Sequence, residues 1–215
     1  MGAPGKKHRG RKARPDSPNP PSTDFEEFDQ YLFLVSRNVD EELDEFLCQK
    51  GDVQVARWLV EILSNWKHWA APLSHKDQNT VLWRIGCNPL FLGWNLEPRS
   101  KLDYEDQIAI VQAAKEVTLS IPLLFAPDEP MENAYYMWWD LLASDVVDRA
   151  IGSAILETLS DLSLHPDVRV QISAIHGLGH LQHPGRPSAV DRYLQFHPEL
   201  ARDTWILQCR SGTVM

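Results

Sequence analysis

Cysteine is scarce in this sequence. The 215 residues contain three, Cys48, Cys87 and Cys209, an odd number with no paired spacing. That excludes a disulfide framework and fits reduced thiols in a reducing compartment. Long apolar runs are missing too. None approaches the ~20 residues a membrane-spanning helix needs, and no apolar segment follows the first basic residues as a secretory signal requires. The expectation is a cytoplasmic protein with no membrane attachment. Apart from ambiguous fragments, no stretch alternates apolar and polar residues over five positions or more, so no strand is expected. A glycine-rich phosphate loop, a serine elbow and a cysteine pair are all absent, and none of the eight histidines is followed by glutamate. The common signatures of nucleotide binding, acyl transfer and zincin chemistry go with them.

Charge is unevenly spread. Residues 1–22 hold six Lys/Arg against one Asp, whereas the rest carries 15 basic and 29 acidic residues, for a net −9 overall. The tail is Gly, Pro, Ser, Asn, Lys and Arg with almost nothing to bury. It cannot offset its own ordering entropy and is expected to be disordered. Its basic stretch, residues 6–14, is the one place where nucleic acid could be held. The acidic remainder disfavours a nucleic-acid groove and suits a basic partner.

What is abundant is helix. Hydrophobic residues make up 43% of the chain, with 8 Trp, which is enough for one core over residues 23–215. Acids at 24, 26, 27 and 29 load the start of a first helix. A second runs through 39–49 and a third from Asp52 to about Trp69, ended by Pro72. Residues 73–102 read as a packed loop with one short helix near 75–85. A long helix is expected from Asp103 to Phe125, kinked or ended at Pro122. An aromatic helix follows over 131–143, then another over 145–162.

Residues 165–183 read as a helix that is apolar around most of its circumference. At 100° per residue, Ile172, Ile175, Leu178 and Gly179 gather near one pole. Arg169, Ser173, His176, His180 and His183 occupy the narrow polar stripe. A helix buried this widely lies between other helices. Its opening phrase, Leu164-His165-Pro166-Asp167-Val168, returns 32 residues later as Phe196-His197-Pro198-Glu199-Leu200. A fixed offset of this size marks stacked helical hairpins. With Pro166-Asp167-Val168-Arg169 opening the helix and Ala174 and Leu178 along its ridge, residues 165–210 resemble HEAT-type repeats. The second copy has Ala201 in place of the arginine. The resemblance implies an all-α fold of stacked antiparallel hairpins, a short α-solenoid clearest over 145–210, and implies no activity.

The candidate contact residues follow from that stacking. Through the offset, Ser173 corresponds to Trp205 and His176 to Gln208. A ridge of Arg169, Ser173, His176, His180, His183, Trp205 and Gln208 is the expected binding surface. Trp138 and Trp139 are either core or additional interface anchors. His176, His180 and His183 fall at i, i+4, i+7, and two of them have the spacing of helical zinc ligands. No neighbouring glutamate completes a zincin motif, so no metal and no cofactor is expected. Gly177 and Gly179, costly inside a helix, point to close helix–helix approach.

The function these features imply is a non-enzymatic helical-repeat module that binds another protein, a basic one, in an immunity-type or scaffolding role. Two alternatives stand beside it. One is a ligand- or metal-binding enzyme built on the His176/His180/His183 ridge and the Trp-rich loop 86–98. The other is a nucleic-acid adaptor acting through the basic tail.

Overall fold

The computed structural model describes residues 23–36, 40–87, 96, 101–143 and 149–214. The expected tail 1–22, with its basic stretch, and most of the loop 86–98 lie outside the described residues. Among those described there is no strand. None of their helices is long and apolar enough to cross a membrane.

The N-terminal half is a set of short helices: α1 (Thr23–Ser36), α2 (Asp40–Cys48), α3 (Asp52–Ser64), α4 (Trp66–Ala70) and α5 (His75–Cys87). On α3, Val55, Trp58, Leu59, Ile62 and Leu63 recur at helical spacing, and all are buried. Their partner is α6 (Tyr104–Leu119), which lies along α3. Asp103 starts α6 by accepting a hydrogen bond from the Asp106 backbone N–H at 2.9 Å. The expected helix through Phe125 breaks at Ser120, and α7 (Ile121–Leu124) restarts with Pro122 in its first turn. Proline is tolerated there because that N–H has no intrahelical partner.

The expected aromatic helix 131–143 is instead two single turns, α8 (Asn133–Tyr136) and α9 (Asp140–Ala143). Trp138 and Trp139 explain the break. Both indoles are fully buried, and both donate to α6: Trp138 Nε1 to the Ala114 carbonyl at 3.0 Å, Trp139 Nε1 to Thr118 Oγ1 at 2.9 Å. Adjacent residues of one helix diverge by about 100°, so they could not both reach two successive turns of the same neighbour. The chain leaves the helix at Met137 (φ −87°, ψ 3°), and both rings are accommodated. They are core, not interface anchors. Below them, Trp66 Nε1 donates to Tyr135 Oη at 2.9 Å, and that hydroxyl donates to Gln78 Oε1 at 2.8 Å. The polar end of each large aromatic is thereby satisfied inside the core.

The C-terminal helices are α10 (Arg149–Leu162), α11 (Val168–His180), α12 (Arg186–Phe196) and α13 (Thr204–Ser211), with a 3-10 turn at Pro198–Leu200. α10 packs on α11 and α12 on α13. The pairs also pack on each other, α10 against α12 and α11 against α13. The two His-Pro phrases do different work. Asp167 caps α11 directly, accepting from the Arg169 N–H at 2.9 Å. Pro198 opens the 3-10 turn, and α13 begins only after Asp203, which accepts from the Ile206 N–H at 3.1 Å.

Arg169 is a brace, not a contact residue. Its guanidinium forks onto Asp167, with Nη2 at 2.7 Å, and Nη1 reaches the carbonyls of Ala126 and Glu129 at 2.7 and 3.1 Å. It ties the loop after α7 to the start of α11, and it holds the Asp167 carboxyl below the usual carboxylate range. Arg169→Ala should cost about 2 kcal/mol, since charge-assisted hydrogen bonds are lost while the carbonyls stay partly covered. Urea unfolding checks this, and a midpoint equal to the wild type would show that the brace carries no stability.

Candidate functional site

Two glycines on α11 decide what its polar stripe can meet. A Cβ at Gly177 would collide with Trp139 Cβ and stand 3.3 Å from Leu159 Cδ2. Only glycine lets the Trp139 backbone come this near. A Cβ at Gly179 would lie 2.5 Å from Val214 Cγ1 and 3.2 Å from both Cα and Sγ of Cys209. One glycine seats the segment that carries Asp140 on one flank of α11, and the other seats α13 on the next. His176 and His180, one turn apart on α11, are held between them.

The result is a buried cluster. Asp140 Oδ2 is 3.0 Å from His176 Nε2 and 3.5 Å from His180 Nε2. One ligand atom from each of the three side chains lies within 4.8 Å of the others. Aromatic rings wall it in. Tyr136 lies over His176 with centroids 4.1 Å apart, and Trp205 runs nearly parallel to the same imidazole at 6.3 Å and 14°. The two imidazoles are 4.9 Å apart.

Burial controls the charges. It pushes the Asp140 carboxyl up to about 7. It pulls His176 down to about 4, with the neighbouring His180 adding to the effect, and lowers His180 as well. Both imidazoles are therefore neutral at pH 7, the form that ligates metals. Three atoms of the cluster are buried with no hydrogen-bond partner: Asp140 Oδ1, His176 Nδ1 and His180 Nε2. Unpaired buried polar atoms are uncommon and costly, and three at one point call for an explanation.

Metal coordination through Asp140 Oδ2 and the two Nε2 atoms would satisfy one of them, His180 Nε2. Ligands about 2.0–2.2 Å from a tetrahedral zinc stand roughly 3.3 Å from each other, and the spacings of 3.0 and 3.5 Å bracket that value. Two imidazoles and one carboxylate suit zinc and similar divalent transition ions. Calcium and magnesium prefer all-oxygen sites.

The expected ridge divides on inspection. His176 and His180 enter the cluster, and half-buried Trp205 forms its wall. His183 does not belong. α11 ends at His180 and Leu181 is extended (ψ 117°), so the i+7 relation is lost. Pro184 disfavours helix at the residue before it. His183 Nε2 instead meets Ser153 Oγ at 3.2 Å, and its Nδ1 accepts from the Gly185 N–H. Ser173 is fully buried and donates to the Tyr135 carbonyl at 2.8 Å. Gln208 is exposed on α13, apart from the cluster. The residue that spacing could not supply is Asp140, 36 positions from His176. Its one signal is an acid set inside the run Tyr135–Leu142, where a core would not otherwise tolerate one.

No family model matches this chain, and no curated protein or solved structure is similar to it.

Proposed function

We propose that this chain is a metal-binding helical protein, holding one divalent transition ion on Asp140, His176 and His180. The convergence of one carboxylate and two imidazoles, with a ligand atom of each within 4.8 Å of the others and His180 Nε2 buried without a hydrogen-bond partner, carries the reading. The histidine spacing alone lacked a third ligand, which was the ground for expecting no metal, and Asp140 supplies it. The neutral imidazoles need lose no proton to bind, so only Asp140 has one to give up.

Metal analysis of the purified full chain after incubation with zinc or cobalt tests the proposal. About one ion per chain is expected, falling to none in His180→Ala, whose side chain is the most exposed of the three and the least needed for packing. Failure of the folded wild type to retain stoichiometric metal overturns it.

A second reading, the HEAT-like module that grips a basic protein, is favoured by a separate observation. α10 packs on α11, α12 packs on α13, and Val168, Phe196 and Leu207 stay exposed on these helices. In this reading the acidic body attracts the partner and those apolar side chains anchor it. Binding of a basic partner that weakened with salt and was lost in Phe196→Ala would support it. Metal binding and partner binding can coexist, because the cluster is interior and the three apolar residues are not.

A further inference from the structure

Three protein ligands leave a tetrahedral ion one position short. Whether that position is closed by a fourth side chain or left open separates a structural metal from one that can handle a ligand.

Two nearby side chains could close it, and both are otherwise engaged. Tyr136 meets the cluster with its ring, which lies over the His176 imidazole with centroids 4.1 Å apart. Cys209 is fully buried on α13, with its sulfur against the Gly179 backbone. It is not part of the group whose ligand atoms lie within 4.8 Å of one another. α13 is not free to bring it closer. The Arg186 guanidinium donates to the carbonyls of Leu181 at 2.8 Å and Ser211 at 2.9 Å, pinning the end of α11 to the end of α13. Arg210 holds Asp191 of α12 at 2.6 and 3.0 Å. Burial also pushes the Cys209 thiol up to about 12, so the metal-free protein keeps it protonated.

Exposure gives the open side. The side chains of His176, Asp140 and His180 are 2%, 10% and 22% exposed. The His180 ring is therefore the side of the cluster nearest solvent, with its Nε2 itself buried. A divalent ion on one carboxylate and two neutral imidazoles keeps one positive charge. Asp140 Oδ1, buried and unpartnered, stands beside Oδ2 ready to accept a hydrogen bond. An open position with net positive charge and an adjacent acceptor suits water, or a small monoanion that displaces it.

Resting on the metal reading above, we infer that the fourth coordination position is open on the His180 side and takes water or a small monoanion, with Asp140 Oδ1 accepting a hydrogen bond from the bound water. The ligand exchange is simple: the anion enters, one water leaves, and no proton or electron is transferred.

The cobalt-loaded full chain tests this by its visible and near-ultraviolet spectrum during titration with azide and, separately, acetate. The expected result is a saturable shift of the cobalt bands, with no thiolate-to-cobalt charge-transfer band and an unchanged spectrum in Cys209→Ser. A charge-transfer band that Cys209→Ser abolishes would place sulfur in the fourth position and overturn the inference. So would a cobalt spectrum that neither anion moves. In both of those cases metal binding itself stands. If the folded chain takes up no cobalt, the metal reading falls and this inference with it.

Discussion

Gly177→Ala is expected to destabilise the protein by about 3 kcal/mol, although alanine is the better helix former. Propensity alone favours the substitution by about 1 kcal/mol in the middle of a helix. The new methyl has nowhere to go. It meets Trp139 Cβ, and Trp139 Cγ and Leu159 Cδ2 are 3.1 and 3.3 Å away. A flexible side chain could swing aside, but a Cβ moves only with its backbone, and the Trp139 ring is held by its hydrogen bond to Thr118. α11 and the turn before α9 must therefore separate. Overpacking of this kind typically costs 1–3 kcal/mol, occasionally more, and here the hydrogen bond and the Asp140–His176 contact are strained with it. Gly51→Ala is the control, because nothing lies within 4 Å of a Cβ at Gly51. Urea midpoints for both variants check the prediction. A Gly177→Ala protein as stable as the wild type would mean that the close approach is not needed. The same variant should bind metal more weakly, because Asp140 moves away with Trp139.

That glycine shows how far the sequence could be read and where reading stopped. The helices announced themselves through local chemistry: apolar spacing on α3, an aspartate cap before α6, another before α11. The widely apolar α11 was legible as an interior helix, and Gly177 and Gly179 as points of close approach. What they approach was not legible, because the partners, Trp139 and Cys209, come from distant parts of the chain. The break between α8 and α9 was hidden for a related reason. It follows from two neighbouring indoles both needing α6, a tertiary demand that overrides a good local helix pattern. The repeated His-Pro phrase misled in the other direction. Similar residues open α11 in one case and a 3-10 turn in the other, because Asp167 and Asp203 place the caps differently. The histidines were visible as a pair, but a metal site is a convergence in space. Its third member lay in a segment whose aromatic neighbours pointed to core or to an interface, not to a ligand.

Asp140→Asn should separate the stability of the fold from its proposed function. Burial raises the Asp140 carboxyl from 3.8 to about 7. The folded state thus holds a proton that the unfolded chain releases. This group's contribution is full below pH 3.8 and is lost as pH climbs through 7, a cost of up to about 4 kcal/mol at about 1.4 kcal/mol per unit. His176 runs the other way. Its value falls from 6.5 to about 4, so its contribution is present above pH 6.5 and is lost as pH falls through 4, by up to about 3 kcal/mol. In the wild type the Asp140 and His176 slopes oppose each other between pH 4 and 6.5, and His180, also lowered by burial, adds to the loss on acidification. Asparagine keeps the shape and can donate to His176 Nε2, but it carries no charge to desolvate. At pH 8, without metal, the variant should be more stable than the wild type by about 2–4 kcal/mol. On acidification from pH 6.5 to 4 it should lose about 3 kcal/mol more than the wild type, in which the rising protonation of Asp140 offsets that of His176. Urea unfolding across that range measures both. Zinc should then reverse the order at pH 8. The wild-type carboxylate gains the ion that compensates its burial, and a ligand bound only by the folded state adds stability in proportion to ln[metal]. The variant, lacking that anionic ligand, should not respond. A variant less stable than the wild type at pH 8, or equally stabilised by zinc, would mean that Asp140 is a structural hydrogen-bonding group and not a charge held in place for a cation.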